Sequence, residues 1–320
     1  LGAVAVVPIT EEAKAKPMKV IDLFAGAGGL SLGFQMAGHE VIAAFDADPV
    51  AVATYNRNLG EHAHVADLRE LNADDLPDAD GIIGGPPCQA LSQANQLNAS
   101  WRNPRNLIPR FVEIIKARRP RFFVMENVRG LLNYADDLNR ELNSLQALGY
   151  FPVCKVLDAA NYGVPQNRKR VFVIGYRDGH LPIWPAPTHN RRSAVTARQA
   201  IGEMLNEPED ALPAYMRHLA GEPDKLISGC NRSLNTKGRF LYWRDFDRPA
   251  FGVMARSNGA GGVNRAYVAG QSYKLKPAHN AVLQSFPSSF AWPETIGDAG
   301  RLIGNAVPPV LAWRIAQTIE

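Results

Sequence analysis

Cysteine is scarce in this chain: there are three in 320 residues, at positions 88, 154 and 230, with no CxxC pair among them. Few, odd in number and far apart, they make neither a disulfide framework nor a zinc site, and they fit a reducing compartment. No metal is expected. Long hydrophobic runs are missing too. No stretch of about 18 apolar residues occurs, which argues against a membrane span. The apolar start "LGAVAVVPIT" has no basic segment before it and no clear small-residue cleavage site after it, so it does not read as a signal peptide. Residues 1–17 read as a leader or extension ahead of the first strand pattern. Bulk charge of one sign is also lacking, since 35 Lys and Arg face 31 Asp and Glu for a net +4. No internal repeat or low-complexity tract is present, which argues against repeat architectures.

The charge that is present is unevenly placed. Residues 225–272 hold eight Lys/Arg against two Asp/Glu, whereas 188–224 hold four against six. The basic stretch, with "KGRFLYWRDFDR" and "ARSNGAGGVNR", suits a polyanion partner or a solvated surface, and charge alone does not separate the two.

Apolar runs at "KVIDLF" (19–24), "EVIAAFD" (40–46), "DGIIGG" (80–85) and "FFVMENV" (122–128) read as strands. Helical spacing fills the gaps in "LSLGFQMAG", "PVAVATYNRN" and "PRFVEIIKAR". This alternation predicts an α/β fold with a doubly wound, mostly parallel sheet. "YFPVCKVLDA" and "KRVFVIGY" are close enough to close it as a hairpin. From about residue 186 the periodicity fades, until "LIGNAVPPVLAWRIAQTI" reads as a strand end or turn and a returning helix. The expected organisation is a catalytic and cofactor-binding domain over 18–185 plus 300–320, a smaller inserted domain over 186–272, and a hinge over 273–299.

"DLFAGAGGLSLGF" places Gly26, Gly28 and Gly29 in the turn after the first strand, where a backbone can approach a ligand closely. Asp46 ends the second strand, where an acidic group can take ribose hydroxyls. Asp67, in "HVADL", stands where a third strand would end and could accept from an adenine amino group. Such a set suits S-adenosylmethionine as readily as NAD.

A lone cysteine is by default a small buried hydrophobe, and Cys154 in "FPVCKVL" fits that. Cys88 follows Pro86-Pro87, which cannot continue a ladder and turn the chain out of the sheet. Its thiol would then stand at the carboxyl end of a strand, where open α/β sheets bind ligands. Glu126 ends an apolar strand, where a carboxyl is costly without a task or a partner. Arg168 and Arg170 in "QNRKR" alternate and are expected on one side of a strand. The polar stretch 89–106 has no helical period, and a loop of that length is usually functional or disordered.

In order, "DLFAGAGG", "GGPPCQ", "MENV" (125–128), "GVPQNRKRVFVIG" (163–175), "LQSFP" (283–287) and "GNAVPP" (304–309) resemble the DNA cytosine-5 methyltransferase family, of bacterial or phage type. The resemblance covers nearly the whole chain from residue 19, and it places that family's variable target-recognition domain at 186–272. It implies transfer of a methyl group from S-adenosylmethionine to C5 of a cytosine in a specific double-stranded DNA sequence. Cys88 is implied as the nucleophile at C6 of a flipped-out base, with Glu126 at N3 and the exocyclic amine, Arg168 at O2, and Arg170 in support. A thiolate suits this chemistry because it is strongly nucleophilic near neutral pH and leaves well. Extrusion is needed because the ring is unreachable inside a stack.

For the cofactor the resemblance implies Phe24 on the adenine, together with Ala25, Gly26, Gly28, Gly29, Asp46, Asp67, Leu68, Pro86, Leu107, Asn305 and Ala306. The 89–106 stretch would be a cover over the extruded base. Gln89 and Ser92 within it, and Arg239, Arg244 and Arg256 in the basic insert, are the candidate DNA contacts. The implied partner is duplex DNA bound by a monomer in a bacterial cytoplasm, with a cognate restriction endonuclease left open. Three rivals stay open: the same chemistry on a tRNA cytosine, a DNA-binding protein without catalysis, and a small-molecule methyltransferase. Two positions depart from the family pattern. Leu91 replaces a usual Phe, and His279 stands near a usual glutamate, which puts the packing of that segment in question.

Overall fold

The computed structural model describes residues 16–87, 100–208, 224–229, 241–255 and 263–320, with the backbone alone for 225–229, 241–244 and 263–264. By contacts the chain divides into two compact units. One comprises Lys14–Asp158, Lys169–Ala186 and Leu311–Glu320; the other comprises Leu1–Ala13, Ala159–Arg168 and Pro187–Val310. Cys88, Gln89, Leu91, Ser92, Arg239 and Arg256 lie outside the described residues, as does most of 1–17.

The first unit is built on β1 (Lys19–Leu23), β2 (Glu40–Asp46), β3 (Ala63–Val65), β4 (Gly81–Gly84), β5 (Phe122–Val128), β6 (Val153–Asp158) and β7 (Lys169–Tyr176). They form one sheet in the order β3-β2-β1-β4-β5-β7-β6. The first five are parallel neighbours, while β7 runs antiparallel to both β5 and β6. The helices α1 (Gly29–Met36), α2 (Pro49–Leu59), α3 (Ile108–Arg118) and α4 (Ala135–Asn143) connect the strands. Strand order reverses between β1 and β4, the switch point at which sheets of this kind open a crevice beyond their carboxyl ends. The α/β reading with a doubly wound, mostly parallel sheet is therefore what the chain folds into.

Local chemistry explains the boundaries. Asp48 caps α2 by accepting from Val50 N–H at 3.0 Å, and Pro49 follows at a position whose missing N–H costs nothing. Phe111 and Ile115 of α3 face the sheet, with Phe111 meeting Phe123 edge-on at 6.2 Å between centroids. β1 ends one residue earlier than its apolar run, because Phe24 takes φ +61° and leaves the strand. Cys154 corrects an expectation: it is exposed, not buried. The reason is topological, since β6 is the outermost strand and lacks a neighbour on one side.

The second unit holds α5 (Ala197–Ile201) and a four-stranded antiparallel sheet. The sheet contains β8 (Lys225–Gly229), β9 (Leu241–Asp245), β10 (Val263–Val268) and β11 (Gln271–Lys274), in the order β11-β10-β8-β9. It also holds α6 (Pro277–Leu283) and α7 (Ile296–Asn305). "LIGN" is the end of α7 and not a strand end. After a break at Ala306–Pro308, α8 (Pro309–Ala316) follows. The part of α8 within the first unit packs on α1 so closely that a Cβ on Gly33 would lie 2.3 Å from Ala312 Cβ.

His279 fits its segment. Its Nδ1 accepts from Lys276 N–H at 2.8 Å, and its Nε2 donates to Met204 O at 3.2 Å. It is buried and closes the start of α6. Among the described residues no helix is long and apolar enough to cross a membrane.

Candidate active site

At the switch point of the first unit the chain leaves β1 through a strained turn. Phe24 (φ +61°), Gly26 (φ +55°) and Gly28 (φ +88°) adopt left-handed backbone, which is cheap only for the glycines. Asp46 braces this turn, its Oδ2 accepting from Gly26 N–H at 2.8 Å while its Oδ1 accepts from Asp48 N–H at 2.9 Å. A carboxylate offers about four acceptor positions, so bracing the turn is compatible with a ligand hydroxyl. A Cβ on Gly28 would fall 2.7 Å from the Tyr55 ring, so the loop is laid directly on α2.

Asp67 lies just past β3, with both carboxylate oxygens engaged by the Arg69 guanidinium. That bonding holds its pKa down at about 2. Leu68 is buried in the core beside it.

Sequence reasoning missed Asp22, which lies beneath the glycine turn. It is 1% exposed, and its Oδ2 accepts from Ser31 Oγ at 2.6 Å, while Oδ1 has no partner among the described residues. Burial is the main cause that lifts its pKa to about 7; the Ser31 hydrogen bond opposes this, and the nearby Asp46 charge adds to it. An ionisable residue inside an otherwise apolar strand was the available signal.

The turn before Cys88 is pinned from both sides. Asn127 Nδ2 donates to Pro86 O at 3.0 Å, and Leu107 N–H donates to Pro87 O at 3.3 Å. Glu126, on β5 and 8% exposed, forms an ion pair with Arg170 of β7, with Nε 3.0 Å from Oε1. A Cβ on Gly85 would be 3.5 Å from Glu126 Oε2, so the carboxylate lies against the chain two residues before Pro87. Pro86, Glu126, Asn127 and Arg170 are thus brought together at the mouth of the switch point.

Arg168 is not with them on one strand face. β7 begins at Lys169, one residue later than the alternation required, and Arg168 belongs to the other unit. There its NH1 donates to Val253 O at 2.6 Å, and its NH2 donates to Gly304 O at 2.7 Å and Ala306 O at 3.0 Å. It is 4% exposed. The neighbouring Gln166 and Gln284 side chains extend this lattice to the carbonyls of Leu283, Ile303 and Ala306. Asn305, exposed, and Ala306, buried, end α7 in the same unit.

The profile of the family described as "C-5 cytosine-specific DNA methylase" matches residues 18–320. The type II methyltransferase M1.HphI of Haemophilus parahaemolyticus is 34% identical, across 93% of this chain and 86% of its own. M.FnuDI of Fusobacterium nucleatum, another type II methyltransferase, is 31% identical across 95% and 94%. In fold, the chain resembles the S. pombe Dnmt2 methyltransferase, with TM-score 0.68, 17% identity, and 93% and 97% coverage. A putative DNA modification methyltransferase encoded within an E. coli prophage gives TM-score 0.67, 24% identity, and 94% and 98% coverage.

Proposed function

The chain belongs to the C-5 cytosine-specific DNA methylase family and is a DNA (cytosine-5)-methyltransferase, and from that premise we propose how its residues divide the work. Cys88, held just beyond the pinned Pro86-Pro87 turn, adds as a thiolate to C6 of an extruded cytosine in a specific duplex sequence. Glu126 contacts N3 and the exocyclic amine, stabilising the electron density that addition pushes into the ring. C5 becomes nucleophilic and takes the methyl group. Loss of the C5 proton and β-elimination then restore the thiol and release methylated cytosine. The observation that carries the reading is the Glu126–Arg170 pair at 3.0 Å beside that turn.

The same geometry divides the two arginines differently from the family-based expectation. Arg170, 16% exposed in its side chain and beside Glu126, suits the cytosine O2 contact. Arg168 spends its donors on three backbone carbonyls and suits a structural role.

S-adenosylmethionine, which supplies an electrophilic methyl group when bound, fits the site on two counts. The left-handed glycine turn offers close backbone approach, and the partnerless Asp22 oxygen suits a cationic ligand end. Phe24, Ala25, Gly26, Gly28, Gly29, Asp46, Asp67, Leu68, Pro86 and Leu107 would hold it, and the family pattern adds Asn305 and Ala306 to that set. Target recognition is assigned to 186–272, with a hinge over 273–299, and 18–185 plus 300–320 carry catalysis. Gln89, Ser92, Arg239, Arg244 and Arg256 remain the proposed DNA contacts. Arg244 is on β9, and the other four lie outside the described residues.

Incubating the protein with methyl-labelled cofactor and either duplex DNA or tRNA tests the reading. Label is expected in duplex DNA; label in tRNA alone would overturn it.

A further inference from the structure

In the unit containing Pro187–Val310, a cleft of about 590 Å³ is lined by Arg191, Arg192, Thr196, Asp245, Asp247 and Arg248. Two turns make its walls. Asn190 fixes the first, its Oδ1 accepting from the backbone N–H groups of Arg192 at 2.8 Å and Ser193 at 3.2 Å. The second spans Asp245 to Pro249 and is tied to the first segment by Ala197 N–H, which donates to Arg248 O at 2.9 Å. Exposed side chains therefore stand on a backbone that is itself held.

The charges in the cleft do not cancel. Asp247 is held by Arg198, whose Nε lies 2.7 Å from Oδ1 and whose NH2 also binds Asp224 Oδ2 at 2.6 Å, and that pairing keeps the Asp247 carboxyl below the usual range. Arg191, Arg192, Arg198 and Arg248 still exceed Asp224, Asp245 and Asp247 by one charge. Asp245 accepts from Asp247 N–H at 3.1 Å and lies 3.9 Å from Arg248 Nε. With both lining carboxylates paired, Arg191 and Arg192 have no carboxylate partner among the described residues. Thr196 Oγ accepts from Gln199 N–H at 3.1 Å, which leaves its own O–H as a donor.

Two guanidiniums without a direct carboxylate partner and a hydroxyl on fixed turns, open to solvent, match the oxygens of phosphodiesters better than a small enclosed ligand. We propose that this cleft grips the sugar–phosphate backbone of duplex DNA through Arg191 and Arg192, independently of sequence. The proposal rests on the reading of duplex DNA as the substrate. Composition conceals the site, because 188–224 carries more acidic than basic residues; only the fold separates the paired charges from the free ones.

The test is duplex affinity of the whole chain measured against salt concentration. Each phosphate contact contributes about 0.9 to the slope of log K against log salt. Arg191→Ala with Arg192→Ala should therefore lower that slope by about 1.8, equally on methylatable and unrelated duplexes. Arg191→Lys with Arg192→Lys should keep the slope, since charge is retained. Arg57→Ala with Arg177→Ala removes two exposed charges from the other unit and should leave the slope unchanged. An unaltered slope in the double alanine variant overturns the proposal. So does an equal fall in the Arg57/Arg177 control, or a loss confined to the methylatable duplex. Wild-type protein that binds no duplex at low salt would instead refute the reading of DNA as substrate.

Discussion

Replacing Asp22 with asparagine separates stability from cofactor binding, and the structure sets the size of the effect. Asp22 is fully buried, and its pKa rises from 3.8 to about 7. A shift of roughly three units corresponds to about 4 kcal/mol, an upper figure because the interior relaxes around a charge. The folded state binds the proton more tightly than the unfolded state. The carboxyl therefore costs nothing below about pH 4, costs progressively more between pH 4 and 7, and costs the full amount above pH 7. In Asp22→Asn the amide oxygen still accepts from Ser31 Oγ, and the side chain cannot ionise.

The difference in unfolding free energy between variant and wild type should be near zero at about pH 3. By about pH 8 it should favour the variant by about 1–4 kcal/mol. Denaturant melts at each pH give that difference directly. Calorimetry should show the opposite trend for S-adenosylmethionine, whose affinity falls about tenfold or more as the Asp22 charge proposed to balance its cationic end is lost. A variant no more stable than wild type at the higher pH would refute a costly ionised Asp22. Unchanged cofactor affinity would refute its role under the glycine turn.

The other expectations are simpler. Gly33→Ala gains about 1 kcal/mol of helix propensity, yet it drives a methyl group to 2.3 Å from Ala312 Cβ and 2.6 Å from Trp313 N. Overpacking of about 1–3 kcal/mol or more should win, lowering the melting temperature and weakening cofactor binding through α1; a raised melting temperature would contradict this contact. Arg170→Ala should cut turnover by about two to three orders of magnitude, by removing the guanidinium beside Glu126. Arg168→Ala should instead cost about 2–3 kcal/mol or more of stability, by stranding the buried Val253 and Gly304 carbonyls, while Ala306 O keeps its bond from Gln284. Turnover and melts on both variants decide the division, and the reverse pattern would sink it. Cys88→Ser should abolish methyl transfer while duplex binding persists, as a filter-binding assay would show.

Much of the sheet was legible because β2 and β5 are continuous apolar runs that no helix of that length would use. Glu126 stood out for the same reason, as a charge at the end of such a run. The four-stranded sheet was not legible, because strands such as "VNRAYV" and "QSYK" are short and mixed in polarity. Alternation put Arg168 and Arg170 on one face. Where a strand begins depends on ladder bonds that sequence does not carry, and with β7 starting at Lys169 only Arg170 stands on the strand. Cys154 misled because an apolar run on the outermost strand looks like one in the core. The Arg191–Arg192 cleft depends on which carboxylates are already paired, a property of the fold alone.

The central claim is that this chain methylates C5 of cytosine in DNA through Cys88. Bisulfite sequencing of DNA from cells expressing the wild-type chain or the Cys88→Ser variant tests it most directly. The account predicts protected cytosines at one recurring sequence in the wild type and none in the variant. No protection in the wild type, or the same pattern in both, would contradict it.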